Sequence, residues 1–337
     1  MTTRIAVLGG GAWGTALGDT LARNGHEVRI WTRNAEVAEE ICAEGSNRRY
    51  LHGASLSRAL GATTELPVAL ADAAIVLSAC PSHAVREVLE AARPLLRPPA
   101  PIVISATKGI EIGTDLRMSE VLGQVLGPET ERRIVVVSGP SFAEELARQL
   151  PTAVVAASVS QEAAQLVQGL FQNRYLRVYT QRDVVGVEFG GSLKNVIALA
   201  AGISDGLELG SNARAALITR GLAEITRLAT RFGAHETTLA GLAGIGDLVL
   251  TCTGDLSRNR TAGLAIGSGR PPPEVLAGMG QVVEGVRTTR ATQELAERRG
   301  VEMPIVEAVY SILYEDVGPR DALARLMSRE PKPERWS

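Results

Sequence analysis

The stretch Ile5-Ala6-Val7-Leu8-Gly9-Gly10-Gly11-Ala12-Trp13-Gly14 decides the fold that this sequence predicts. Its first four residues form a short apolar strand, and a helix is predicted from Thr15 to Asn24. The turn between them fits G-x-G-x-x-G with Gly9, Gly11 and Gly14. In that motif the glycines make a tight turn, let backbone approach a pyrophosphate and allow close helix–strand packing. The order strand, turn, helix favours dinucleotide binding over a glycine-rich turn in another kind of α/β protein.

The end of the second predicted strand, Glu27 to Trp31, bears on which dinucleotide is bound. An NAD site commonly carries Asp or Glu there, about 20 residues past the glycines, for the ribose 2′-hydroxyl. This chain has Thr32-Arg33-Asn34 instead, and an arginine can pair with a 2′-phosphate and stack on adenine. Arg33 therefore favours NADP(H), with NAD(H) as the alternative, although a surface arginine at a strand end would look the same.

Further strands alternate with helices in the first half, which predicts a doubly wound α/β sheet of the Rossmann type. These strands are Ala74 to Ala79, Ile102 to Ser105 and Ile134 to Val137. Small and polar residues follow each strand: Cys80-Pro81-Ser82-His83, Ser105-Ala106-Thr107-Lys108-Gly109 and Ser138-Gly139-Pro140-Ser141-Phe142-Ala143. Three strand ends thus point at one crevice, with Lys108 on one of them. His83 is interpreted as a first-turn helix residue rather than a general base.

The second half of the chain predicts an all-α domain. Apolar residues recur at helical spacing through Ala201, Ala213 to Phe232, Gln293 to Arg299 and Val306 to Tyr314. Lys194 follows the double glycine Gly190-Gly191, in the first turns of a predicted helix from Leu193 to Ala201, where a second domain would meet the ligand edge of the sheet. The predicted organisation is a dinucleotide-binding Rossmann domain over 1–190, a helical substrate-binding domain over 191–330 and a flexible tail over 331–337.

Lysine is rare in this chain. Of 35 Lys and Arg residues three are Lys, which leaves 32 Arg. Lys332 lies near the end, whereas Lys108 and Lys194 each stand beside glycine or small polar residues. Arginine keeps its proton in proteins, but burial and charged neighbours can lower the pKa of a lysine. Lys108 and Lys194 are therefore candidates for work that needs a titratable ammonium, against the alternative that they fall there by chance.

Two later loops carry polar groups. Gly241 to Leu248 is glycine-rich and contains Asp247, a carboxylate suited to orienting Lys194, binding a substrate hydroxyl or capping a helix. Thr253 to Arg260 precedes a helix rich in alanine and glycine. Ser, Arg and Asn at a helix N-terminus make a good anion site, although the same residues also suit a capped, solvated helix start.

Composition bounds the class of protein. A chain of 337 residues suits two domains. The net charge of −2 and the pI near 6.2 argue against a nucleic-acid-binding surface. No apolar run reaches the roughly 18 residues of a membrane helix, and no signal-peptide pattern is found. Cys42, Cys80 and Cys252 have no C-x-x-C spacing, which argues against disulfides or a metal site and predicts a cytoplasmic protein.

Motifs spanning most of the chain resemble those of the bacterial NAD(P)-dependent glycerol-3-phosphate dehydrogenases. The matching runs are Gly9 to Thr15, Pro81 to His83, Ala106 to Gly109, Ser138 to Ala143, Gly190 to Ala201, Ser204 to Gly206, Asn212 to Arg214, Thr219 to Gly221, Gly246 to Leu248, Thr251 to Thr253, Ser257 to Arg260 and Val283 to Gly285. The resemblance implies reversible reduction of dihydroxyacetone phosphate to sn-glycerol 3-phosphate with NAD(P)H, which supplies the glycerol backbone of phospholipids.

The resemblance also implies roles for individual residues. Lys194 matches the family's proton donor and acceptor, and Lys108 matches a lysine that touches both cofactor and substrate. Asp247 is expected to hold Lys194 or bind substrate. The matched substrate positions are Gly139, Ser141, Asp247, Ser257, Arg258 and Asn259. The matched cofactor positions, besides the glycines, are Trp13, Arg33, Asn34, Tyr50, Ala143, Arg258, Val282 and Glu284.

Two residues depart from the family pattern. Ala12 stands where the family often has Ser, so a side-chain contact to the cofactor phosphate is lost, although backbone N–H groups there can still bind it. His52 stands where Tyr-Leu-Pro-Gly is common, in the loop of Tyr50.

Two other functions fit parts of the sequence. A β-hydroxyacid dehydrogenase also joins a Rossmann domain to a helical domain and uses a lysine, but Asn195 directly follows Lys194 here and does not fit its lysine–asparagine spacing. A non-catalytic NADP(H) sensor needs neither two isolated lysines nor an anion loop. Expected partners are a phosphorylated triose and a second copy of the chain in a homodimer, with no nucleic acid and no membrane span.

Overall fold

A computed structural model of the protein describes residues 2–280 and 282–334. The chain forms two compact units. Unit 1 is Met1–Lys108 with Leu116–Val184, and unit 2 is Gly109–Asp115 with Val185–Ser337. The longer segments of the two units meet between residues 184 and 185, and the short segment 109–115 belongs to unit 2. The domain bounds 1–190 and 191–330 stay a prediction.

The framework of unit 1 is a β-sheet. Its strands are β1 Arg4–Leu8, β2 Glu27–Trp31, β3 Leu60–Thr63, β4 Ile75–Ser78, β5 Ile102–Ser105, β6 Ile134–Ser138, β7 Thr152–Ala157 and β8 Leu176–Gln181. They lie in the order β3-β2-β1-β4-β5-β6-β7-β8, and the pairings are parallel except that β7 runs antiparallel to β6. The strands predicted from apolar runs are confirmed as β1, β2, β4, β5 and β6, whereas β3, β7 and β8 were not predicted.

Helices pack on both faces of this sheet. They are α1 Ala12–Arg23, α2 Ala35–Glu44, α3 Leu66–Leu70, α4 Val85–Ala92, α5 Met118–Leu126, α6 Ala143–Ala147 and α7 Gln161–Phe171, with 3₁₀ turns at Ser82–Ala84, Arg93–Leu95 and Pro128–Arg133. Ile5 and Val7 of β1 belong to the apolar cluster that contains α1, α2 and α7 residues. Ala6 and Leu8 belong to the one under α4 and α5. Burial on both faces explains why β1 is a continuous apolar run, and the doubly wound Rossmann prediction is confirmed.

Unit 2 is helical, as predicted. Its helices are α8 Val184–Gly206, α9 Gly210–Thr230, α10 Glu236–Leu239, α11 Asp247–Thr253, α12 Arg258–Gly267, α13 Pro272–Gly278, α14 Glu284–Arg299, α15 Pro304–Tyr314 and α16 Pro319–Met327, with a π-helical turn at Leu242–Gly246. Every residue of α8 from Gly186 to Ser204 is buried. The other helices of the unit pack around α8, whose side chains are central to the apolar core.

Lys194 lies near the middle of α8, so the prediction that it occupies the first turns of a helix beginning at Leu193 was wrong. Glycine costs about 1 kcal/mol in a helix interior, which made the double glycine look like a helix start. A Cβ on Gly190 would collide with the carbonyl oxygen of Ala243. The glycine is therefore kept inside the helix because it lets α8 pack closely on the π-helical turn.

By length and composition alone α8 could cross a membrane, contrary to the expectation that no run is long enough. The apolar window of α8 is 89% buried inside the protein, and it includes Lys194. The core helices of soluble proteins can have the same length and apolar composition. The burial identifies α8 as the core helix of unit 2.

Two smaller predictions concern a metal site and the chain end. Within residues 2–280 and 282–334 no group of three His, Cys, Asp or Glu side chains is placed to hold a metal ion. The expected tail over 331–337 is described as far as Glu334, and residues 335–337 lie outside the described part. In the described portion Lys332 Nζ donates to Glu302 Oε2 at 2.7 Å.

A buried carboxyl group, that of Glu224 on α9, holds the start of α15. The side chain is 4% exposed and accepts hydrogen bonds from the N–H groups of Ile305 at 2.8 Å and Val306 at 3.3 Å. Burial raises the pKa of Glu224 to about 7, against the lowering effects of these two hydrogen bonds and of Arg227. The carboxyl group thus replaces the missing side-chain cap of α15.

We expect Glu224 to make stability pH-dependent. Its pKa of about 7 in the folded state lies above the unfolded value of 4.5, so the folded state binds the proton more tightly between these pH values. The protonated Glu224 contributes its full stabilisation below the unfolded pKa. As pH rises through the folded pKa this stabilisation is lost, and the free energy of unfolding falls by up to about 3 kcal/mol. Glu224→Gln keeps an oxygen acceptor without titrating. The free energy of unfolding, measured with urea, should therefore increase for the variant relative to the wild type as pH rises from about 5 to about 8. Equal pH slopes for the two proteins would contradict this assignment.

Candidate active site

The glycine-rich turn between β1 and α1 is shaped to receive a phosphate group. Gly9 has φ of +119°, and a Cβ there would lie 2.8 Å from the carbonyl oxygen of Ala79. A Cβ on Gly14 would collide with the carbonyl oxygen of Gly9. A Cβ on Gly11 would meet nothing within 4 Å, so that side of the turn is open, at the N-terminal end of α1. The three positions fit the turn, packing and approach roles that a dinucleotide pyrophosphate requires.

Other predicted cofactor residues surround this turn. Ala12 and Trp13 begin α1, and Trp13 Nε1 is buried with no hydrogen-bond partner among the described residues. The side chain of Arg33, at the end of β2, is exposed. Asn34 is the N-cap of α2: its side-chain oxygen accepts from the N–H of Val37 at 3.0 Å, so this oxygen stabilises the helix start.

Two more predicted cofactor positions border the same apolar cluster as Ala12 and Trp13. Tyr50 is half-buried in the loop between α2 and β3. Ala143 is the first residue of α6, which packs against α1. Unit 1 therefore brings its predicted cofactor residues to the elements that flank α1.

The ends of β4, β5 and β6 converge as predicted. Lys108 Nζ donates to the carbonyl oxygen of Gly139 at 3.2 Å, and Ser141 Oγ donates to the same oxygen at 2.9 Å. Thr107 Oγ1 donates to the carbonyl oxygen of Cys80 at 2.7 Å, which links the ends of β5 and β4. The structure thus places Lys108 beside the two predicted substrate residues of unit 1.

Lys194 is a buried ammonium held on two sides. It is 7% exposed, and its Nζ donates to Oδ1 of Asp247 and, at 2.8 Å, to Oγ1 of Thr251. Asp247 is completely buried, and the Thr251 hydroxyl donates to the Asp247 carbonyl oxygen at 2.6 Å. A buried ammonium is tolerated when a carboxylate and further hydrogen bonds compensate its lost hydration. The geometry identifies Asp247 as a residue that orients Lys194.

The spacing on α11 explains why Asp247 and Thr251 act together. Residues four apart lie on the same face of a helix, so both side chains turn toward α8. The neighbouring Cys252 is buried, which raises the pKa of its thiol to about 12 despite the opposing effect of Lys194. Cys252 is therefore a neutral packing residue beside the lysine.

Glycines on two helices fix α12 against α8. A Cβ on Gly202 or Gly206 of α8 would collide with backbone carbonyl groups of α12. A Cβ on Gly263 or Gly267 of α12 would collide with backbone carbonyl groups of α8. Since each helix presents a G-x-x-x-G ridge to the other, their backbones touch over two turns. This contact sets the position of the α12 N-terminus relative to the helix that carries Lys194.

The N-terminus of α12 is both capped and cross-linked. Ser257 is its N-cap and accepts from the N–H of Arg260 at 3.3 Å, which is the capped start considered in the sequence. Asn259 Nδ2 donates to Asn195 Oδ1 at 2.9 Å, and Asn259 Oδ1 accepts from the N–H of Gly285 at 2.9 Å. One Asn259 side chain therefore connects α12, α8 and the start of α14.

Arg258 lies at the first position of α12 with an exposed side chain. Desolvation of its guanidinium lowers the pKa of Arg258, and the nearby Glu284 carboxylate opposes that shift. Glu284 is the first residue of α14, and Val282, two residues earlier, is 37% exposed. The three predicted cofactor positions of unit 2 thus lie at the starts of α12 and α14. Arginine keeps its charge under these conditions and can bind an anion.

Some functional side chains were missed by sequence reasoning. Thr251 lies in a matched motif but had no predicted role. Its position four residues after Asp247, on the same helix face, is the sequence feature that indicates a shared contact. The bond between Asn195 and Asn259 joins residues 64 apart and had no local signal. His83 lies in the 3₁₀ turn Ser82–Ala84 with an exposed side chain, as expected for a first-turn residue.

Comparison with known proteins agrees with this arrangement. Residues 4–164 match the family model for the N-terminus of NAD-dependent glycerol-3-phosphate dehydrogenase, and residues 183–324 match the model for its C-terminus. The chain is 52% identical over 335 residues to glycerol-3-phosphate dehydrogenase [NAD(P)+] of Geobacter metallireducens, covering 99% of this chain and 100% of that protein. It is 53% identical over 336 residues to the protein of the same name from Koribacter versatilis, covering 99% of each.

A solved structure shows the same fold at high similarity. The crystal structure of glycerol-3-phosphate dehydrogenase from Coxiella burnetii is 43% identical and superposes with a TM-score of 0.92, covering 97% of this chain and 99% of that chain. Family models cover most of the sequence, and the relatives are matched over nearly their whole length. This chain belongs to the NAD-dependent glycerol-3-phosphate dehydrogenase family.

Proposed function

We propose that this protein reduces dihydroxyacetone phosphate reversibly to sn-glycerol 3-phosphate with NAD(P)H, and that Lys194 moves the proton. The observation that carries the proposal is the buried Lys194 held by Asp247 and Thr251, in a chain of this family. A buried, oriented ammonium can donate a proton to one defined oxygen. Membership of the family favours this reaction over the β-hydroxyacid dehydrogenase and sensor alternatives.

The proposed chemistry divides the work between cofactor and protein. When bound, NAD(P)H supplies the hydride that reaches the ketone carbon. Negative charge grows on the carbonyl oxygen, and Lys194 donates a proton to that oxygen. In the reverse direction, neutral Lys194 accepts the proton of the substrate hydroxyl. Asp247 and Thr251 keep the amine pointed in one direction, because each accepts one of its N–H groups.

Binding of the phosphorylated substrate is assigned to cations and helix N–H groups. Arg258 and the N-terminal N–H groups of α12 would clamp the phosphate. Asn259 would add its second Nδ2 hydrogen, since the first is bonded to Asn195, and Ser257 would add its hydroxyl hydrogen. Lys108, beside Gly139 and Ser141, would stabilise the developing alkoxide or the phosphate.

The cofactor is assigned to the glycine-rich turn. Gly9, Gly11 and Gly14 would receive the pyrophosphate, and the exposed Arg33 would pair with the 2′-phosphate of NADP(H), with NAD(H) as the alternative cofactor. The remaining proposed cofactor contacts are Ala12, Trp13, Asn34, Tyr50, Lys108, Ala143, Arg258, Val282 and Glu284.

The cellular role is proposed from the reaction. Its product, sn-glycerol 3-phosphate, is the backbone that glycerophospholipid synthesis consumes. We place the enzyme in the cytoplasm, which fits the free thiols Cys42, Cys80 and Cys252. A homodimer is proposed as its assembly.

Absorbance at 340 nm tests the reaction directly. We expect the purified protein to oxidise NADPH, and more slowly NADH, when dihydroxyacetone phosphate is present and not when it is left out. Turnover with a β-keto acid and none with dihydroxyacetone phosphate would support the β-hydroxyacid alternative. Tight NADPH binding without any turnover would support the sensor.

Replacing Arg258 tests the phosphate clamp. Hydrogen bonds to charged groups are worth about 1.5–3 kcal/mol, so Arg258→Ala should raise the apparent KM for dihydroxyacetone phosphate by roughly tenfold to a hundredfold. Because Arg258 also belongs to the proposed cofactor contacts, the assay is run at saturating NADPH. Arg290→Ala removes an exposed arginine paired with Glu294 and should leave KM unchanged. A fall in kcat alone would contradict the clamp.

A further inference from the structure

Asn47 is a completely buried asparagine in the loop between α2 and β3. Its Nδ2 donates to the carbonyl oxygen of Gly10 at 3.0 Å and to Oγ1 of Thr15 at 2.8 Å. Thr15 Oγ1 in turn donates to the same Gly10 oxygen at 3.3 Å. Burying an amide is unfavourable unless it forms hydrogen bonds. Both bonds of this NH₂ group go to the glycine-rich turn and the first turns of α1, whereas Oδ1 has no partner among the described residues.

The bond to Gly10 fixes the direction of a neighbouring N–H. In a planar trans peptide, the carbonyl oxygen and the following N–H point in opposite directions. With the Gly10 oxygen held toward Asn47, the Gly11 N–H points the other way. That N–H has no hydrogen-bond acceptor among the described residues, and a Cβ on Gly11 would meet nothing within 4 Å. The open side of the turn therefore presents a backbone donor whose direction Asn47 sets.

The main chain of Asn47 organises its own loop. Its carbonyl oxygen accepts from the N–H of Tyr50 at 3.2 Å and from that of Leu51 at 2.8 Å. Leu51 is 1% exposed and anchors the loop in the apolar cluster under α1. One residue thus links the glycine-rich turn to the loop that carries Tyr50.

We propose that Asn47 is a positioning residue for the cofactor: it holds the Gly10 carbonyl so that the Gly11 N–H faces the pyrophosphate. This inference rests on the family's use of NAD(P)(H) and not on the identity of the reduced substrate. The pyrophosphate is common to NADPH and NADH, so Asn47 acts equally on both cofactors. Arg33, by contrast, acts on the 2′-phosphate alone.

The test is titration of NADPH and NADH by fluorescence, without substrate, on wild type, Asn47→Asp and Asn47→Ala. Aspartate has nearly the same shape without the N–H donors, and alanine removes the donors without adding a charge. Each variant should raise the Kd of both cofactors by about tenfold or more, and by the same factor, so that the NADPH/NADH ratio stays at the wild-type value. At saturating NADPH, kcat should remain close to wild type.

A matched control separates positioning from general loosening. Asn24, the C-cap of α1, donates from Nδ2 to the carbonyl oxygen of Leu170 at 2.7 Å at the far end of that helix. Asn24→Asp should lower Tm and leave both Kd values unchanged. Unchanged Kd values in the Asn47 variants, or a changed NADPH/NADH ratio, would overturn the proposal. Absence of cofactor binding by the wild type would instead count against the cofactor assignment itself.

Discussion

Replacing Lys194 by alanine is expected to lower kcat for dihydroxyacetone phosphate by about 10²- to 10⁴-fold, the usual contribution of a general acid. Lys194 is buried, and its Nζ is oriented by Asp247 and Thr251, so alanine leaves no oriented proton donor at this position. The Kd of NADPH should change little, because Lys194 is not among the proposed cofactor contacts. Steady-state rates at 340 nm and fluorescence titration of NADPH measure both quantities.

The chain offers a matched control in its third lysine. Lys332 forms an ion pair with Glu302 at 2.7 Å on the surface, and Lys332→Ala should keep the wild-type kcat. Lys194→Arg retains a positive charge but not a group that readily releases its proton, so it should be nearly as slow as the alanine variant. Near-normal turnover of Lys194→Ala would remove Lys194 from the proposed role.

Replacing Asp247 by asparagine is expected to destabilise the protein strongly. The substitution keeps the shape but removes the charge that compensates the Lys194 ammonium, and both side chains are buried. Breaking a buried ion pair from one side typically costs about 3–5 kcal/mol. Urea unfolding should show this loss. Turnover should fall as well, because a neutral amide oxygen holds the Lys194 ammonium less firmly than the carboxylate does.

A double variant distinguishes the ion pair from loss of shape. Lys194→Met combined with Asp247→Asn removes both charges, and replacing both members of a buried pair is often nearly neutral for stability. We expect the double variant to regain most of the stability lost by Asp247→Asn while remaining inactive. If the double variant is as unstable as the single one, the cost does not come from an uncompensated Lys194 charge.

The sequence predicted the parts of unit 1 whose signals are local. Strands buried on both faces, such as β4 and β6, are unbroken apolar runs and were found. β3, Leu60-Gly61-Ala62-Thr63, contains glycine and alanine, which have weak strand preference. β8, Leu176 to Gln181, does show alternating buried and exposed positions at its start, so its pattern was readable.

In unit 2 the limits were set by contacts distant in sequence. The double glycine predicts a helix boundary that the structure does not have, because the packing of Gly190 against Ala243 cannot be seen from neighbouring residues. The pairing of Lys194 with Asp247 was predicted as one of several roles, and the contact is present. Binding of a substrate hydroxyl by Asp247 stays a prediction. The bonds of the Asn259 side chain to Asn195 and Gly285 were not predicted, because the position of α14 depends on the fold of the whole unit. The predicted contact of Asn259 with the substrate stays a prediction.

The most direct test of the central claim is the primary deuterium isotope effect on kcat, measured with NADPH deuterated at both C4 positions, in wild type and Lys194→Ala. If Lys194 is the proton donor, its loss slows the chemical step, and the isotope effect of the variant should exceed that of the wild type, in which product release commonly limits turnover. A slow variant whose isotope effect is no larger than the wild-type value would show that Lys194 acts on another step and would contradict the account.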